Sequence, residues 1–265
     1  MNMKRKSTKA YLADLAARGQ YHFSSADAQK ALGISTDAAK LALNRLSKQG
    51  LLASPARGFY VIVPPEYRSL GSLPADQFIP QLMKQRNRTY YAGLLSAAQY
   101  HGAAHHRPQE FQVFLATSHR PIICGAVRVA FFVRKRIAQV AVQSFNTPRG
   151  TILVSTPEAT AFDLVGYQNS AGGLDQVATI LAELAEMIDP KKLAMVAQTA
   201  PLPWAQRLGY LLETVDASSA ASDLKDYVCA SAKQFVPLVA SAPHENASRN
   251  EGWKLAVNAK VEAEL

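Results

Sequence analysis

Four histidines and one carboxylate are the side chains of this sequence that come closest to a reactive cluster. His101, His105, His106 and Glu110 lie within ten residues, and His119 follows shortly after. Imidazole and carboxylate groups are common metal ligands, so this segment is where a metal site would be sought. The spacing fits no established zinc pattern, and no cysteine lies nearby. We therefore expect a polar loop here, and neither a metal nor another cofactor in the protein.

Glu158 and Asp163 lie on one predicted helix, where two carboxylates at a suitable spacing could act as general acid and base. They are five residues apart and therefore face different sides of the helix. Asp163 lies in an apolar stretch, so we expect it to be a structural hydrogen-bond acceptor rather than a base. The glycine-rich phosphate-binding loops and the GxSxG nucleophile elbow are absent from the sequence. These observations predict a protein that is not an enzyme.

Positive charge is the more informative property. The chain has 29 basic and 20 acidic side chains, a net charge of +9. Residues 1–83 carry +6, residues 84–150 carry +9 with one acid among them, and residues 151–265 carry −6. This uneven distribution of charge suits a protein that binds a polyanion through one end of the molecule. An ordinary solvated surface is the alternative. A nuclease would need clustered acids in a basic groove, which residues 84–150 do not offer.

Length and composition indicate two globular domains, because 265 residues with 48% apolar side chains are enough for two cores. No apolar run reaches the length of about 18 residues that a transmembrane helix needs, so we expect no membrane partner. The basic first residues lead into no apolar signal region. Two cysteines are too few for a disulfide framework. We therefore expect a reduced, cytoplasmic protein.

The first 66 residues show the pattern of a winged helix-turn-helix domain. Serine N-caps at Ser7, Ser24 and Ser35 and glycine stops predict three helices, which cover residues 8–18, 25–32 and 36–49. Two short strands, 51–53 and 59–63, follow with a turn between them. The two strands form the wing, and Arg57 lies at its tip.

The third predicted helix has the two faces of a recognition helix. Ala39, Leu43 and Leu46 would pack inward, while small, hydrogen-bonding and basic residues would face outward. Outward residues near its start suit the major groove, basic residues elsewhere suit phosphates, and Arg57 suits a minor groove. The predicted DNA-binding residues are Lys4, Arg5, Lys9, Ser35, Thr36, Ala38, Lys40, Asn44, Arg45, Lys48 and Arg57. Two alternatives are a winged helix used only for protein contacts and a helical hairpin with a solvated face.

The remainder of the chain is predicted to be a linker, 67–79, and a C-terminal domain, 80–265. Four prolines in residues 64–80 indicate the linker. In the C-terminal domain, helices are expected over 78–87 and 90–101, strands mainly within 111–154, and further helices mainly within 156–236. The fold class is therefore α+β, with a winged helix-turn-helix domain followed by a mixed α/β domain.

The basic residues between 84 and 150 form a second predicted nucleic-acid surface. They could extend the contact with DNA beyond the winged helix, or they could hold RNA, such as the acceptor end of a tRNA. A solvated basic surface explains the composition equally well. The residues concerned are Arg86, Arg88, Arg128, Arg134, Lys135, Arg136 and Arg149.

Three sequence runs resemble the AbiEi family of antitoxins. They are YYAGLLSAAQYHG at 90–102, STPEATAFDLV at 155–165 and AQRLGYLLE at 205–213. A winged helix-turn-helix precedes them, and Trp253 and Asn258 follow them, which is the order of that family along nearly the whole chain. Each run alone is mostly apolar, so the resemblance depends on the ordered set.

The resemblance implies an antitoxin of a bacterial type IV toxin–antitoxin system, of the kind used in phage defence. Such an antitoxin represses its own operon by binding inverted repeats in the promoter. Its C-terminal domain opposes a nucleotidyltransferase toxin, AbiEii, without a stable complex. Two alternatives stay open: a stand-alone winged-helix regulator whose second domain senses a ligand or partner, and a nucleic-acid-modifying enzyme.

Overall fold

The computed structural model describes residues 7–103 and 108–263. They form two compact units, each assembled from several stretches of chain. Unit 1 draws on Met1–Tyr90, Gln109–Lys135 and Ser144–Leu153, and unit 2 draws on Tyr91–Pro108, Arg136–Gln143 and Val154–Leu265. This division differs from the expected order of winged helix, linker and C-terminal domain, because strands distant in sequence pack with the first 90 residues.

Three helices begin unit 1, and each has a serine N-cap, as predicted. They are α1 (Thr8–Ala17), α2 (Ser25–Leu32) and α3 (Thr36–Lys48). The side chain of Ser24 accepts a hydrogen bond from the backbone of Asp27, whose carboxylate accepts one from the Ser24 backbone in return. Gly33 ends α2 in the left-handed conformation, with φ of 59°. The helix boundaries therefore follow from local capping chemistry.

A three-stranded sheet completes the winged helix. Its strands are β1 (His22–Ser24), β2 (Leu52–Ala56) and β3 (Phe59–Ile62), in the order β1-β3-β2 with antiparallel pairing. The sequence predicted the two wing strands but gave residues 22–24 no strand. This third strand exists because Phe23 pairs opposite Tyr60, a contact distant in sequence. Phe23 joins Leu43 and Leu46 of α3 in one buried cluster.

The central part of the chain alternates short helices and strands. In chain order the elements are α4 (Ala75–Gln85), β4 (Tyr90–Ala92), α5 (Leu94–Tyr100), β5 (Phe111–Leu115), β6 (Ile122–Cys124), β7 (Val127–Val133), β8 (Val142–Thr147) and β9 (Gly150–Ser155). In unit 1, β7 lies between β6, to which it is antiparallel, and β5, to which it is parallel.

Two of these elements correct the sequence predictions. The helix expected over 90–101 begins as strand β4, and Ala92 pairs in parallel with Val154 of β9. Only α5 is helical in this stretch. The linker expected over 67–79 is also wrong as a description, because Ser72 and Leu73 are buried and α4 begins at Ala75.

The segment that follows the wing packs onto the turn between β6 and β7, within unit 1. The backbone N–H of Ala126 donates a hydrogen bond to the carbonyl of Leu70 at 2.8 Å. A Cβ atom at Gly125 would collide with that carbonyl and with Gly71, and Gly125 has a φ of +61°. Glycine is therefore required at this position by both the close approach and the backbone conformation.

Helices form most of unit 2, with a small sheet at the end of the chain. The elements are α6 (Pro157–Gly166), α7 (Leu174–Leu184), α8 (Pro190–Ala197), α9 (Leu202–Thr214), α10 (Ser222–Ser231), β10 (Val236–Pro237), β11 (Ser248–Asn250) and β12 (Leu255–Val257). Helix α6 is central, since it packs against α5, α7, α8 and α9. Within the described ranges, no helix is both long and apolar enough to cross a bilayer.

The last segment of unit 2 is held against α9 by a fully buried tryptophan. Gly209 of α9 lies against the ring of Trp253, where any Cβ atom would collide with the indole. The side-chain amide of the buried Gln206 donates to the carbonyl of Lys254 at 2.8 Å and to that of Trp253 at 3.2 Å. The run at 205–213 therefore has a structural role, since it supplies the groove and the hydrogen bonds that fix this segment.

Arg149, at the turn between β8 and β9, is held within unit 1 by two residues of the winged helix, Tyr21 and Glu66, and by Gln77 of α4. Its guanidinium lies 3.5 Å from the centroid of the Tyr21 ring. Its Nε donates to Gln77 at 2.9 Å, and Nη2 contacts the carboxylate of Glu66 at 3.3 Å. The side chain is only 14% exposed. This combination of ring, amide and carboxylate joins the turn to the N-terminal residues.

We expect Arg149→Ala to lower the free energy of unfolding by about 2 kcal/mol, because it removes a partly desolvated cation–π contact and two hydrogen bonds. Urea unfolding followed by circular dichroism measures the change. Arg128→Ala is the matched control, since Arg128 is exposed and its loss should cost less than about 0.5 kcal/mol. Equal stability of the two variants would contradict a structural role for Arg149.

Candidate nucleic-acid interface

Helix α3 has one buried and one exposed face, as the sequence predicted. Ala39, Leu43 and Leu46 are buried at 1%, 0% and 4% exposure. The polar residues on the other side are solvent-exposed. Because the helix is amphipathic, burial of the apolar stripe fixes which side chains are available to a partner.

The predicted DNA-binding residues that the structure describes are all exposed. They are Lys9, Ser35, Thr36, Ala38, Lys40, Asn44, Arg45, Lys48 and Arg57. Lys4 and Arg5 lie outside the described residues. Two of the set have partners within the fold: the Ser35 hydroxyl accepts from the Ala38 backbone at 3.3 Å, and the Thr36 hydroxyl donates to Gln29 at 3.1 Å.

The wing presents Arg57 on a well-defined hairpin. Arg57 and Gly58 form the turn between β2 and β3, and Gly58 has a φ of +76°. The hydroxyl of Ser54 donates to the carbonyls of Ala56 and Phe59, both at 3.1 Å, which closes the hairpin. The carbonyl of Gly58 accepts from the backbone of Ser25, at the start of α2. The hairpin is thereby joined to the helices of the same domain.

The charges on α3 are ordered along the helix. Asp37 lies in the first turn, and Arg45 and Lys48 lie in the last. This arrangement complements the helix dipole, which favours acids near the N-terminus and bases near the C-terminus. Lys40 adds a third exposed cation. The exposed face therefore carries net positive charge, the condition for approach to a phosphate backbone.

The sequence predictions overlooked one exposed residue on α3, Leu41. Leu41 is 68% exposed, although leucine is usually buried. Its position on the helical wheel, opposite Ala39 and Leu43, was a signal that could have identified it. Asp37 is exposed in the first turn, where a carboxylate can also accept a hydrogen bond from a cytosine amino group.

The second predicted surface is smaller in the structure than in the sequence. Arg88, Arg128 and Lys135 are exposed in unit 1, and Arg136 is exposed in unit 2.

Three members of that set have other surroundings. Arg134 is buried at 9% exposure, so it is unavailable to a nucleic acid. Arg149 is held by Tyr21, Gln77 and Glu66, as described above. The partly buried Arg86 hydrogen-bonds with Nε2 of His119 at 2.8 Å. Charge counting in the sequence could not separate exposed arginines from packed ones.

Two of the histidines that the sequence singles out form hydrogen bonds with backbone carbonyls. Nε2 of His101 donates to the carbonyl of Ser155 at 2.8 Å, and burial lowers the pKa of His101 below its usual value. Nδ1 of His119 contacts the carbonyl of Arg120 at 2.7 Å. His105 and His106 lie outside the described residues. Within residues 7–103 and 108–263, no three His, Cys, Asp or Glu side chains are grouped to hold a metal ion.

The two carboxylates of α6 have structural partners. Asp163, which is 1% exposed, accepts a hydrogen bond from the hydroxyl of Tyr91 at 2.8 Å. This confirms its predicted role as an acceptor. Glu158 is also buried and accepts from the backbone of Asp189 at 3.2 Å. The runs at 90–102 and 155–165 thus meet inside unit 2, through Tyr91 with Asp163 and through His101 with Ser155.

Unit 2 also contains a cavity of about 320 Å³ beside the end of α6. Arg207 lines it and is oriented by a 3.0 Å hydrogen bond from its Nε to the carbonyl of Pro237. Burial lowers the pKa of this guanidinium. In the part of the chain that the structure describes, no carboxylate pairs with it. Gln168 lines the same cavity, and its buried Oε1 accepts no hydrogen bond from the described residues.

The fold resembles that of a solved mycobacterial protein. The crystal structure of the RV2827C protein from Mycobacterium tuberculosis matches with a TM-score of 0.66 and 17% sequence identity. The match covers 92% of this chain and 89% of that one. At this identity the likeness shows a shared fold. No curated protein matches the chain.

Two family models match the sequence, one in the N-terminal region and the other in the region that follows it. Residues 11–63 match the model described as "Transcriptional regulator, AbiEi antitoxin". Residues 91–214 match the AbiEi antitoxin C-terminal domain, a range that contains the runs in α5, α6 and α9. Neither model describes an enzyme. Together they cover about two thirds of the sequence, and the chain therefore belongs to the AbiEi family of antitoxins.

Proposed function

We propose that this protein is the antitoxin of a type IV toxin–antitoxin system and that it represses its own operon. The winged helix binds inverted repeats in the promoter, and the C-terminal part opposes a nucleotidyltransferase toxin of the AbiEii type. The observation that carries the proposal is the exposed basic face of α3, opposite a face buried in the N-terminal core.

The exposed face of α3 suits the major groove. Small or hydrogen-bonding side chains at Ser35, Thr36 and Ala38 allow the start of the helix to approach base edges. Asn44 presents the amide that pairs with adenine, and Arg45 the guanidinium that pairs with guanine. All five residues are exposed. In this arrangement Lys9 and Lys48 bind phosphates, which adds affinity without reading sequence.

The wing supplies a second contact. Arg57 is exposed at the turn of the β2–β3 hairpin. A single arginine at such a tip suits a narrow minor groove, where A·T-rich DNA concentrates negative potential. Helix and wing together give the docking geometry of a winged helix-turn-helix protein.

We expect the double variant Arg45→Ala, Arg57→Ala to bind the upstream promoter DNA at least tenfold more weakly than the parent protein. Loss of two positive charges from the interface should also reduce the slope of log affinity against log salt. Fluorescence anisotropy over a salt titration measures both quantities.

The matched control is Lys191→Ala, Lys192→Ala, because both lysines are exposed on α8 in unit 2. This pair should bind DNA as the parent does. Unchanged affinity and slope in the Arg45 and Arg57 variant would overturn the assignment of the interface to α3 and the wing.

The exposed basic residues of the central region serve the antitoxin role in this proposal. Arg88, Arg128 and Lys135 lie in unit 1 and are open to solvent. Such cations suit the phosphates of DNA flanking the operator, or of an RNA that the toxin modifies. Binding the RNA would oppose the toxin without a stable complex between the two proteins.

Co-expression with a nucleotidyltransferase toxin of the AbiEii type tests the antitoxin role. We expect growth to be rescued by the intact protein and rescued less well by the triple variant Arg88→Ala, Arg128→Ala, Lys135→Ala, since fewer cations remain to bind the RNA. Colony counts at matched protein levels give the readout. Full rescue by the triple variant would mean that Arg88, Arg128 and Lys135 are not needed to oppose the toxin. No rescue by the intact protein would overturn the antitoxin proposal.

A second candidate function is a regulator whose C-terminal part senses a small anion. The cavity in unit 2 favours it, because about 320 Å³ lies within the range of small-molecule sites. Arg207 offers its two terminal nitrogens as a fork for an oxyanion, since Nε is already bonded to Pro237. Ser170 lines the same cavity.

Inorganic phosphate is the simplest probe of this cavity. If it is an anion site, millimolar phosphate should raise the melting temperature of the parent protein above that in chloride at equal ionic strength. Arg207→Gln should abolish the shift, and Arg249→Gln, at an exposed arginine of unit 2, should retain it. Equal shifts in all three proteins would exclude a site at Arg207.

A further inference from the structure

Leu41 is an exposed leucine on the outermost line of α3. Its side chain is 68% exposed, as much as any large apolar side chain in the described part of the molecule. At 100° per residue, Leu41 lies about 200° around the helix from Ala39, which is buried at 1%. The leucine therefore projects directly away from the N-terminal core and contributes nothing to its packing.

The neighbours of Leu41 on the helix surface are polar, charged or small. Residues three and four positions away are the ones that lie beside it on a helix. They are Asp37, Ala38, Asn44 and Arg45, all of them exposed. Leu41 is thus a single large apolar side chain beside three polar or charged residues and the small Ala38.

This setting suits one small apolar group rather than a protein partner. Protein interfaces have a contiguous apolar centre, and the residues around Leu41 do not supply one. The nearby cations Lys40, Arg45 and Lys48 instead suit a polyanion. The apolar feature that duplex DNA displays in its major groove is the C5-methyl group of thymine.

We propose that Leu41 reads the C5-methyl group of thymine in the operator. The inference rests on the DNA-binding function proposed above and adds a specificity-determining contact to it. Leu41 recognises a T·A pair by excluding water from the methyl group, while Asn44 and Arg45 on either side hydrogen-bond to neighbouring bases. Burying one methyl group is worth about fourfold in affinity.

The experiment replaces thymine by deoxyuridine, which lacks the methyl group and keeps every hydrogen-bonding group of the base. Binding sites are first selected from a pool of randomised duplexes by the full-length protein. Each thymine of the selected site is then replaced in turn, and dissociation constants are measured for the parent and for Leu41→Ala. Met195→Ala is the matched control, because Met195 is 67% exposed on α8 of unit 2.

We expect one or two positions at which deoxyuridine weakens binding of the parent and of Met195→Ala by about three- to tenfold. At those positions Leu41→Ala should bind thymine and uracil duplexes equally. The substitution is at an exposed position, so circular dichroism and the melting temperature should be unchanged.

Three outcomes would overturn the inference, and they differ in what else they affect. If Leu41→Ala retains the parent's sensitivity to the methyl group, another residue reads it, and DNA binding itself stands. If deoxyuridine weakens binding at no position of the site, Leu41 reads no methyl group, although the proposed DNA binding is unaffected. If the protein selects no sites at all, the proposed DNA-binding function fails together with the inference.

Discussion

Burial of one stripe of α3 is the constraint on which the remaining features depend. Leu43 is completely buried and packs in the same cluster as Phe23 and Leu52. Because a helix has a fixed periodicity, burying this stripe leaves no choice about which side chains face solvent. The basic face and the exposed Leu41 are thus consequences of the core. A substitution that rotated α3 would change which side chains face solvent without altering any residue of the exposed face.

The elements that the sequence predicted best are those fixed by local chemistry. The serine caps and glycine stops gave α1, α2 and α3 almost to the residue, since a cap hydrogen bond involves residues two or three positions apart. Strands β1 and β4 were missed because nothing in the three residues of each strand requires an extended backbone. Their pairing partners lie more than 30 residues away, at 59–61 and at Val154. The family was predictable from different evidence, the ordered runs at 90–102, 155–165 and 205–213.

The exposure of candidate site residues could be predicted from the sequence on α3, and much less well between residues 84 and 150. Helical periodicity alone distinguishes the exposed Lys40 and Arg45 from the buried Leu43. Between residues 84 and 150 only the charge was visible, and charge does not distinguish the exposed Arg128 from the buried Arg134. Whether a guanidinium meets solvent depends on tertiary packing, which composition does not record. The same limit applies to the cavity at Arg207, whose walls come from three separate stretches of chain.

The contacts that Tyr21 and Glu66 make with Arg149 limit how the gene for such a protein can recombine. The regulator region that the family model recognises ends at residue 63, yet the unit around it includes residues up to Leu153. Recombination that exchanged only the first 63 residues would separate Tyr21 from Arg149. The cation–π contact between them would be lost, and the Arg149 guanidinium would lie against residues of another protein. Gene fusions that preserve stability should therefore join downstream of β9, so that the regulator region is inherited together with the β8–β9 turn that carries Arg149.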